Sequence, residues 1–307
     1  MGNAGNVRWL HAGVDRLHVA LLHRLFPRVF RQGHTSPPLP AHLAAVRLTL
    51  PPLTATRRYA LPVQTGVGNL AAEIQVRLGP QPALPVLIFH HGIAEIPYDK
   101  TFRGIFRARL PVAAHLVAIR APYHRSHVEC MRGLATLAQF LAMCAVSVTV
   151  IEAVRQTLVA QGATGSLVTG TSLGGFLALL HHLFFGTADC YVPLLAGPDL
   201  AHVLLTTPYR QLVAPQVLSQ PTELQNLLDF RPAFLASATQ RVFPLLARYD
   251  LCMHYAHHQA CYTAGAVPVH TLERGHITGA LAFSALRAHV LACLRRLPCL
   301  VRSGRCP

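Results

Sequence analysis

The stretch Gly165-Ser-Leu-Val-Thr-Gly-Thr-Ser-Leu-Gly-Gly175 decides which fold we expect for this chain. Its beginning predicts a short apolar strand, and the apolar residues after it predict a helix. Gly170-Thr-Ser-Leu-Gly174 joins the two, so a G-x-S-x-G sequence lies at a strand–turn–helix junction. At such a junction the central serine, Ser172, projects from the fold as a nucleophile, and the two glycines let the strand and helix backbones pass close together. The pattern requires an acid and then a histidine farther along the chain.

The composition predicts a globular protein with a basic surface. Of 307 residues, 52% are hydrophobic and 13% are charged, so a sizeable core is available and extended disorder is excluded. The net charge is +15, and nearly all of the positive charge is arginine because Lys100 is the only lysine. Such a surface favours anionic lipids, nucleic acids or acidic substrates. The arginines are scattered and no nucleic-acid motif accompanies them, so we expect no nucleic-acid partner.

The cysteines and the N-terminal residues indicate in which cellular compartment the protein is located. No C-x-x-C pair occurs, and several cysteines lie in apolar stretches, which predicts buried free thiols in a reducing compartment. Charged residues interrupt the N-terminal region in which a secretory signal would need an apolar core. We therefore expect a cytoplasmic protein, with peripheral membrane contact through residues 7–31 left open. The eight cysteines are Cys130, Cys144, Cys190, Cys252, Cys261, Cys293, Cys299 and Cys306.

Residues 1–40 are predicted to form an amphipathic helix, over residues 6–26, and a proline-rich linker. Apolar residues recur at helical spacing, with arginines toward another face. Two interpretations stay open: a helix packed on the main domain, which is the commoner arrangement, or a basic helix lying on a membrane surface. The apolar positions are Leu10, Val14, Leu17, Leu21 and Leu25, and the arginines are Arg16 and Arg24.

Residues 41–307 alternate between predicted strands and helices, which indicates an α/β fold with a mostly parallel central sheet and helices on both faces. The uncharged segment Gly133–Ile151 approaches the length of a membrane span, but we interpret it as a buried helix because the fold needs one there. The predicted strands are 45–50, 73–78, 84–90, 115–120, 166–169, 190–196, 241–247 and 267–272. The predicted helices are 101–108, 131–161, 176–185, 251–263 and 277–297.

This order of elements, together with the serine turn, resembles the α/β-hydrolase superfamily from about Ala45 to Leu297. The resemblance implies a catalytic triad in the chain order serine, acid, histidine. On this basis Ser172 is the nucleophile and His276, after the strand 267–272, is the base. His276 would accept the serine proton and then donate it to the leaving group.

Two residues compete for the acid of the triad. Asp250 directly follows the apolar run 242–247, where a strand should deliver a side chain to the carboxyl edge of the sheet. It would orient the imidazole of His276 and stabilise the cation. Asp199, after the strand 190–196, is the alternative because the acid can follow an earlier strand in such folds.

The resemblance also implies an oxyanion hole made of backbone N–H groups. Leu173, the residue after the nucleophile, would supply one. The second would come from the His90-His91-Gly92-Ile93 turn, with Ile93 as the first choice and Gly92 as the second. The family often has a further glycine after this turn, whereas Ala94 and Glu95 stand here.

Residues 200–239 are rich in apolar side chains and proline, and in the resembled family an insertion here often forms a helical lid. We therefore expect either a small helical lid over an apolar substrate portion or a plain connecting pair of helices. His254 and His258 have the i, i+4 spacing of a metal site but no accompanying signature, and Gly66–Ala71 matches a dinucleotide motif without its strand–helix context. We predict no metal and no cofactor.

Together these observations predict a serine hydrolase that cleaves a carboxylic ester or related acyl bond of a small molecule through an acyl-enzyme. The alternative is a catalytically inactive module of the same fold that binds an anionic membrane surface.

Overall fold

The computed structural model describes the backbone of residues 2–303 and the side chains of residues 8–297. In this part of the chain nine strands form a single mixed sheet. The strands are β1 (Arg47–Leu48), β2 (Arg58–Thr65), β3 (Gly68–Arg77), β4 (Val86–His90), β5 (His115–Arg120), β6 (Ser166–Thr171), β7 (Cys190–Leu194), β8 (Leu245–Ala247) and β9 (His270–Leu272).

Helices cover both faces of this sheet. They are α1 (Gly2–Leu25), α2 (Leu39–Ala45), α3 (Lys100–Ile105), α4 (His127–Gly133), α5 (Leu137–Ala160), α6 (Leu173–Phe184), α7 (Leu200–Thr206), α8 (Pro215–Leu218), α9 (Pro221–Leu228), α10 (Arg231–Leu235), α11 (Tyr255–Ala264), α12 (His276–Ala280) and α13 (Phe283–Ser303). Two 3₁₀ turns, Pro208–Leu212 and Thr239–Arg241, complete the elements.

The strand order is β1-β2-β3-β5-β4-β6-β7-β8-β9. The first pairs, up to β3 with β5, are antiparallel, and all pairs from β5 to β9 are parallel. Every residue of β4, β6 and β7 is buried, as expected for parallel strands covered on both faces. The predicted mostly parallel sheet between helices is confirmed, and its carboxyl edge is where β4, β6 and the later strands deliver their loops.

The antiparallel edge contains a strand that the sequence analysis missed. In β2, exposed and buried residues alternate, and a hairpin at Thr65–Gly68 leads into β3. Gly68 has a φ of 107°, which glycine adopts without strain. The Gly66–Ala71 motif therefore forms a hairpin turn and the start of a strand.

The single helix predicted over residues 131–161 is wrong, because the chain breaks between α4 and α5. The hydroxyl of Thr136 accepts a hydrogen bond from the Gln139 N–H at 3.0 Å and caps α5. The carbonyl of Leu134 accepts from the Phe30 N–H at 2.7 Å, so the N-terminal segment pairs with the break. α5 is long and apolar enough to cross a membrane, but 78% of its most apolar window is buried, which fits the predicted core helix. The predicted helix 277–297 is likewise divided into α12 and α13.

The N-terminal helix α1 packs on the domain, against α12 and the 3₁₀ turn Pro208–Leu212. The face that it buries is centred on Asp15 and Val19. The predicted apolar stripe lies largely on the opposite, solvent-facing side, since Leu10, Leu17, Leu21 and Leu25 are 48–68% exposed. The stripe therefore does not supply the contact between α1 and the domain.

The cysteines resolved at side-chain level are buried free thiols, namely Cys130, Cys144, Cys190, Cys252, Cys261 and Cys293. Cys299 and Cys306 lie outside the described side chains.

Candidate active site

Ser172 lies at a sharp turn between β6 and α6. Its backbone has φ 56° and ψ −117°, a conformation that non-glycine residues adopt only when the surroundings enforce it. The Ser172 N–H donates to the Leu194 carbonyl at 2.8 Å, which ties the turn to β7. A Cβ on Gly170 would come within 2.5 Å of the His90 carbonyl oxygen, and one on Gly174 would overlap the same carbonyl group. Both glycines are therefore required by close backbone contact.

Three predicted site residues meet at the carboxyl edge of the sheet. The Nε2 atom of His276 lies 3.0 Å from the Oγ atom of Ser172, and its Nδ1 atom lies 2.7 Å from Oδ2 of Asp250. All three side chains are buried. The other carboxylate oxygen of Asp250 accepts hydrogen bonds from the N–H groups of Cys252 and Met253, at 2.8 and 2.7 Å. The carboxylate is thereby fixed with one oxygen aimed at the imidazole.

Asp199, the alternative acid, has different partners. Its Oδ2 atom lies 2.8 Å from Nε2 of His257, and its Oδ1 atom accepts from the His202 N–H at the start of α7. Arg231 forms an ion pair with it at 3.1 Å. The structure thus brings Asp250, and not Asp199, to His276.

The charges around His276 favour its protonated form. Burial works against the cation, but the charge and hydrogen bond of Asp250 and the charge of Asp15 outweigh burial, so the pKa of His276 lies above its ordinary value of 6.5. The same carboxylates would stabilise an imidazolium formed during a reaction.

Asp15 is a residue beside the candidate site that the sequence analysis missed. It is fully buried, and its Oδ2 atom accepts hydrogen bonds from the N–H groups of His276 at 2.9 Å and Leu251 at 3.2 Å. Its Oδ1 atom accepts from the Ile277 N–H at 3.1 Å. One carboxylate therefore joins the loop of the acid to the loop of the histidine. Asp15 is the only acidic residue before Glu73, a signal that could have drawn attention to it.

The candidate oxyanion loop follows β4 and lies against the serine. A Cβ on Gly92 would be 3.7 Å from the Ser172 Cβ. The Gly92 N–H donates to a carboxylate oxygen of Glu95 at 3.1 Å, whereas the N–H groups of Ile93 and Leu173 have no hydrogen-bond acceptor within the described part of the chain. This difference favours Ile93 over Gly92 as the partner of Leu173.

Two side chains that the sequence analysis left unassigned hold this loop. His91 is buried, and burial moves its pKa well below 6.5, so it is neutral. Its Nε2 atom accepts from the Ala121 N–H at 3.0 Å, so Nδ1 carries the proton and donates to the Gly92 carbonyl at 2.6 Å. Glu95 bridges the Gly92 and Thr101 N–H groups. Ala94, in the same loop, has a φ of 55°, in the left-handed region.

An apolar cavity of about 120 Å³ opens beside Ser172. Within the predicted lid, residues 200–239, only α7 and the turn after it reach the cavity, through Leu200, Val203, Leu204, Tyr209 and Leu212. The N-terminal segment supplies a second wall, which no sequence signal indicated, through Leu22, Phe26, Pro27, Val29 and Phe30. The remaining wall comes from the candidate oxyanion loop, the segment from α4 to α5, α6, and Met253 of the loop after Asp250.

His254 and His258 do not meet at a metal site, although their spacing in the sequence suggested one. The Nδ1 atom of His254 lies 2.9 Å from Nε2 of His202, whereas the side chain of His258 is fully buried. Asp199, His202 and His257 bring three ligand-type atoms close together. However, the rings of His202 and His257 stack 3.6 Å apart at an angle of 2°, so their in-plane lone pairs cannot converge on one ion.

Comparisons with known proteins give structural but not sequence relatives. No protein-family model matches the chain, and no curated protein matches it by sequence. A fungal esterase from Rhizomucor miehei is similar in structure, with a TM-score of 0.54 and 14% identity over 92% of this chain and 96% of the other. The Pyrobaculum calidifontis esterase gives a TM-score of 0.50 and 12% identity over 96% and 94% of the two chains.

The acylaminoacyl peptidase of Pyrococcus horikoshii is also similar, with a TM-score of 0.55 and 10% identity over 82% of this chain, which spans 42% of the peptidase. At these identities the similarity is one of fold, and it agrees with the parallel sheet, the serine turn and the order of loops described above. The chain therefore has the α/β-hydrolase fold.

Proposed function

We propose that this protein is a serine hydrolase that cleaves a carboxylic ester or a related acyl bond through an acyl-enzyme. The observation that carries the proposal is the continuous hydrogen-bond chain from Ser172 through His276 to Asp250. Similarity to esterases and to an acyl peptidase supports the same class of reaction.

In the proposed first half-reaction, the Ser172 Oγ attacks the substrate carbonyl carbon while His276 Nε2 takes the hydroxyl proton. Asp250 keeps the imidazole in the tautomer with its proton on Nδ1 and stabilises the cation. Negative charge develops on the carbonyl oxygen, and the N–H groups of Leu173 and Ile93 would donate hydrogen bonds to it. Losing one such donor typically raises the barrier by roughly 3–4 kcal/mol.

The imidazolium then donates its proton to the leaving group, and the acyl group remains on Ser172. In the second half-reaction His276 accepts a proton from water, which attacks the acyl carbon. The bond between that carbon and the Ser172 Oγ then breaks, His276 returns the proton to Oγ, and the acid is released. The sequence of steps is balanced without a cofactor, since every proton passes through His276.

The cavity beside Ser172 supports an apolar substrate portion. Its volume of about 120 Å³ is below the range of roughly 300–1,000 Å³ for pockets of drug-sized ligands. We therefore propose a slender acyl chain in the cavity, with the leaving group outside it. The inactive binding module has no support among the structural relatives, which are esterases and peptidases.

Labelling with a fluorophosphonate probe tests the nucleophile directly. We expect the wild-type protein to be labelled, Ser172→Ala to be unlabelled, and His276→Ala to be labelled far more slowly. Ser237→Ala is the matched control, because Ser237 bonds to His182 and lies outside the triad. p-Nitrophenyl esters of increasing acyl length then measure the chain preference. Absence of labelling in a folded wild-type protein, or labelling that survives in Ser172→Ala, would reject the proposal.

A further inference from the structure

The outward side of α1 is an exposed apolar surface. Five large side chains lie on it or at its margins, and each is 48–68% exposed. We call this surface the outer face of α1, and it is formed by Trp9, Leu10, Leu17, Leu21 and Leu25.

The exposed charges that the N-terminal segment itself places around the outer face have one sign. Residues 8–31 contain five arginines, all exposed, and the single acid among residues 1–72 is the buried Asp15. No exposed carboxylate from residues 8–72 therefore offsets the arginines around the leucines. The arginines are Arg8, Arg16, Arg24, Arg28 and Arg31.

The helix cannot rotate to bury its leucines against its own domain. The inner side is fixed by the three hydrogen bonds of Asp15 to the loops of Asp250 and His276. His11 adds a bond to Thr278 at 2.9 Å. Turning α1 would withdraw a buried carboxylate from its donors, so the apolar side stays outward unless something else covers it.

We propose that the outer face of α1 docks on an anionic lipid bilayer. An amphipathic helix with leucine and tryptophan on its apolar side and arginine around them lies in the plane of the membrane interface. Tryptophan favours the headgroup level, and each arginine near an anionic surface adds attraction. An acidic or neutral partner surface without an apolar layer would leave the leucines in water.

The same helix connects this surface to the candidate active site. Leu22 and Phe26 line the cavity, while Leu21 and Leu25 next to them face outward. A docked α1 would thus bring the cavity close to the lipid. This part of the inference rests on the proposed function and assigns the substrate to acyl esters that partition into the membrane.

Vesicle flotation of the full chain tests docking without reference to catalysis. The probes are phosphatidylcholine vesicles with and without 30% phosphatidylserine, and the protein carries Ser172→Ala to exclude turnover. We expect binding to the anionic vesicles, at least about tenfold weaker binding to the neutral ones, and weakening by salt.

Two double variants separate the contribution of the leucines to membrane binding from that of the arginines. Leu17→Gln with Leu21→Gln should weaken binding at least about tenfold, and Arg16→Gln with Arg24→Gln should weaken it by roughly 30-fold. The matched controls are Leu110→Gln with Leu235→Gln, also about half exposed, and Arg107→Gln with Arg109→Gln. The controls should bind like the parent protein.

The proposal is overturned if the parent protein does not float with anionic vesicles, or if the outer-face variants bind as well as the controls. A dimer in sedimentation that Leu17→Gln with Leu21→Gln converts to a monomer, without vesicle binding, would assign the face to a second copy instead. In the protein with Ser172 intact and labelled by the fluorophosphonate, docking without hydrolysis of a vesicle-embedded ester would reject the substrate assignment but leave docking standing. Absence of that labelling would instead reject the proposed function.

Discussion

Replacing Asp15 with asparagine separates a positioning role from a purely structural one. Asp15 is far from the triad in sequence, and its side chain touches no reacting atom in the proposed mechanism. It accepts three backbone hydrogen bonds from the loops that carry Asp250 and His276. It also contributes to the raised pKa of His276 through its charge. The substitution keeps the shape of the side chain but removes the charge and one acceptor.

The magnitude follows from the three hydrogen bonds. An asparagine oxygen in the place of Oδ2 still accepts from Leu251 and His276, but the amide NH₂ then faces the Ile277 N–H. One buried donor left unpaired costs about 1–3 kcal/mol, and two bonds that lose their charge assistance cost about 1 kcal/mol each. We expect the free energy of unfolding to fall by about 3–5 kcal/mol, which a domain of ordinary stability survives.

The activity of the folded variant gives the decisive readout. A displaced His276 should lower kcat/KM for a p-nitrophenyl ester by roughly 10–100-fold. Removing the nearby negative charge should also lower the pKa of His276. Because the histidine must be neutral to accept the serine proton, the acid limb of the kcat/KM profile should move to lower pH.

Asp189→Asn is the matched control. The Asp189 carboxylate accepts from the N–H and hydroxyl of Ser166, at 2.8 and 3.0 Å, at the edge of the sheet opposite the triad. This variant should lose stability without moving the acid limb. If Asp15→Asn is destabilised while its kcat/KM and its acid limb match the wild type, Asp15 serves the fold alone and the reasoning is refuted.

Three further predictions concern pH and backbone packing. In the wild type the acid limb of kcat/KM should have its midpoint above 6.5, because the pKa of His276 is raised; a midpoint below 6 would contradict the geometry. Gly174→Ala should fail to give soluble folded protein, since a methyl group would overlap a backbone carbonyl. Gly13 lies in a helix with open space around it, so Gly13→Ala should raise the free energy of unfolding, measured by thermal denaturation, by up to about 1 kcal/mol. The hydrogen bond to Asp199 raises the pKa of His257 to about 9, so this pair stabilises the fold below pH 6.5 and ceases to do so as the pH passes 9. The Tm difference between wild type and His257→Gln should therefore be larger at pH 6 than at pH 10, and an equal difference would exclude the ion pair.

Local sequence patterns predicted the elements that depend on neighbouring residues. Continuous apolar runs predicted β4, β5, β6 and β7, because strands buried on both faces need no polar residues. The serine turn was predictable because its two glycines are required by contacts within a few residues and with one adjacent strand. The boundaries of α5 were missed, because the break before it depends on the distant backbone of Phe30 and on the Thr136 cap.

Local sequence patterns could not predict which acid pairs with His276, because the two residues are distant in the chain. The sequence left Asp199 and Asp250 both open, since each follows a strand at the same sheet edge. Only the tertiary structure shows that Asp250 is hydrogen-bonded to His276. Asp199 is instead hydrogen-bonded to His257 and forms an ion pair with Arg231.

The sequence by itself determined the chemistry available to this protein: a serine held in a strained turn, a downstream acid and histidine, and a parallel sheet to carry them. These features are encoded by short-range sterics and hydrophobic patterning. Only the tertiary structure decided which side of α1 faces the domain. Its leucines left open whether the apolar side packs on the domain or lies on a membrane, whereas in the structure Asp15 accepts hydrogen bonds from three N–H groups of two distant loops. The carboxylate therefore faces inward, and the leucines of α1 face outward.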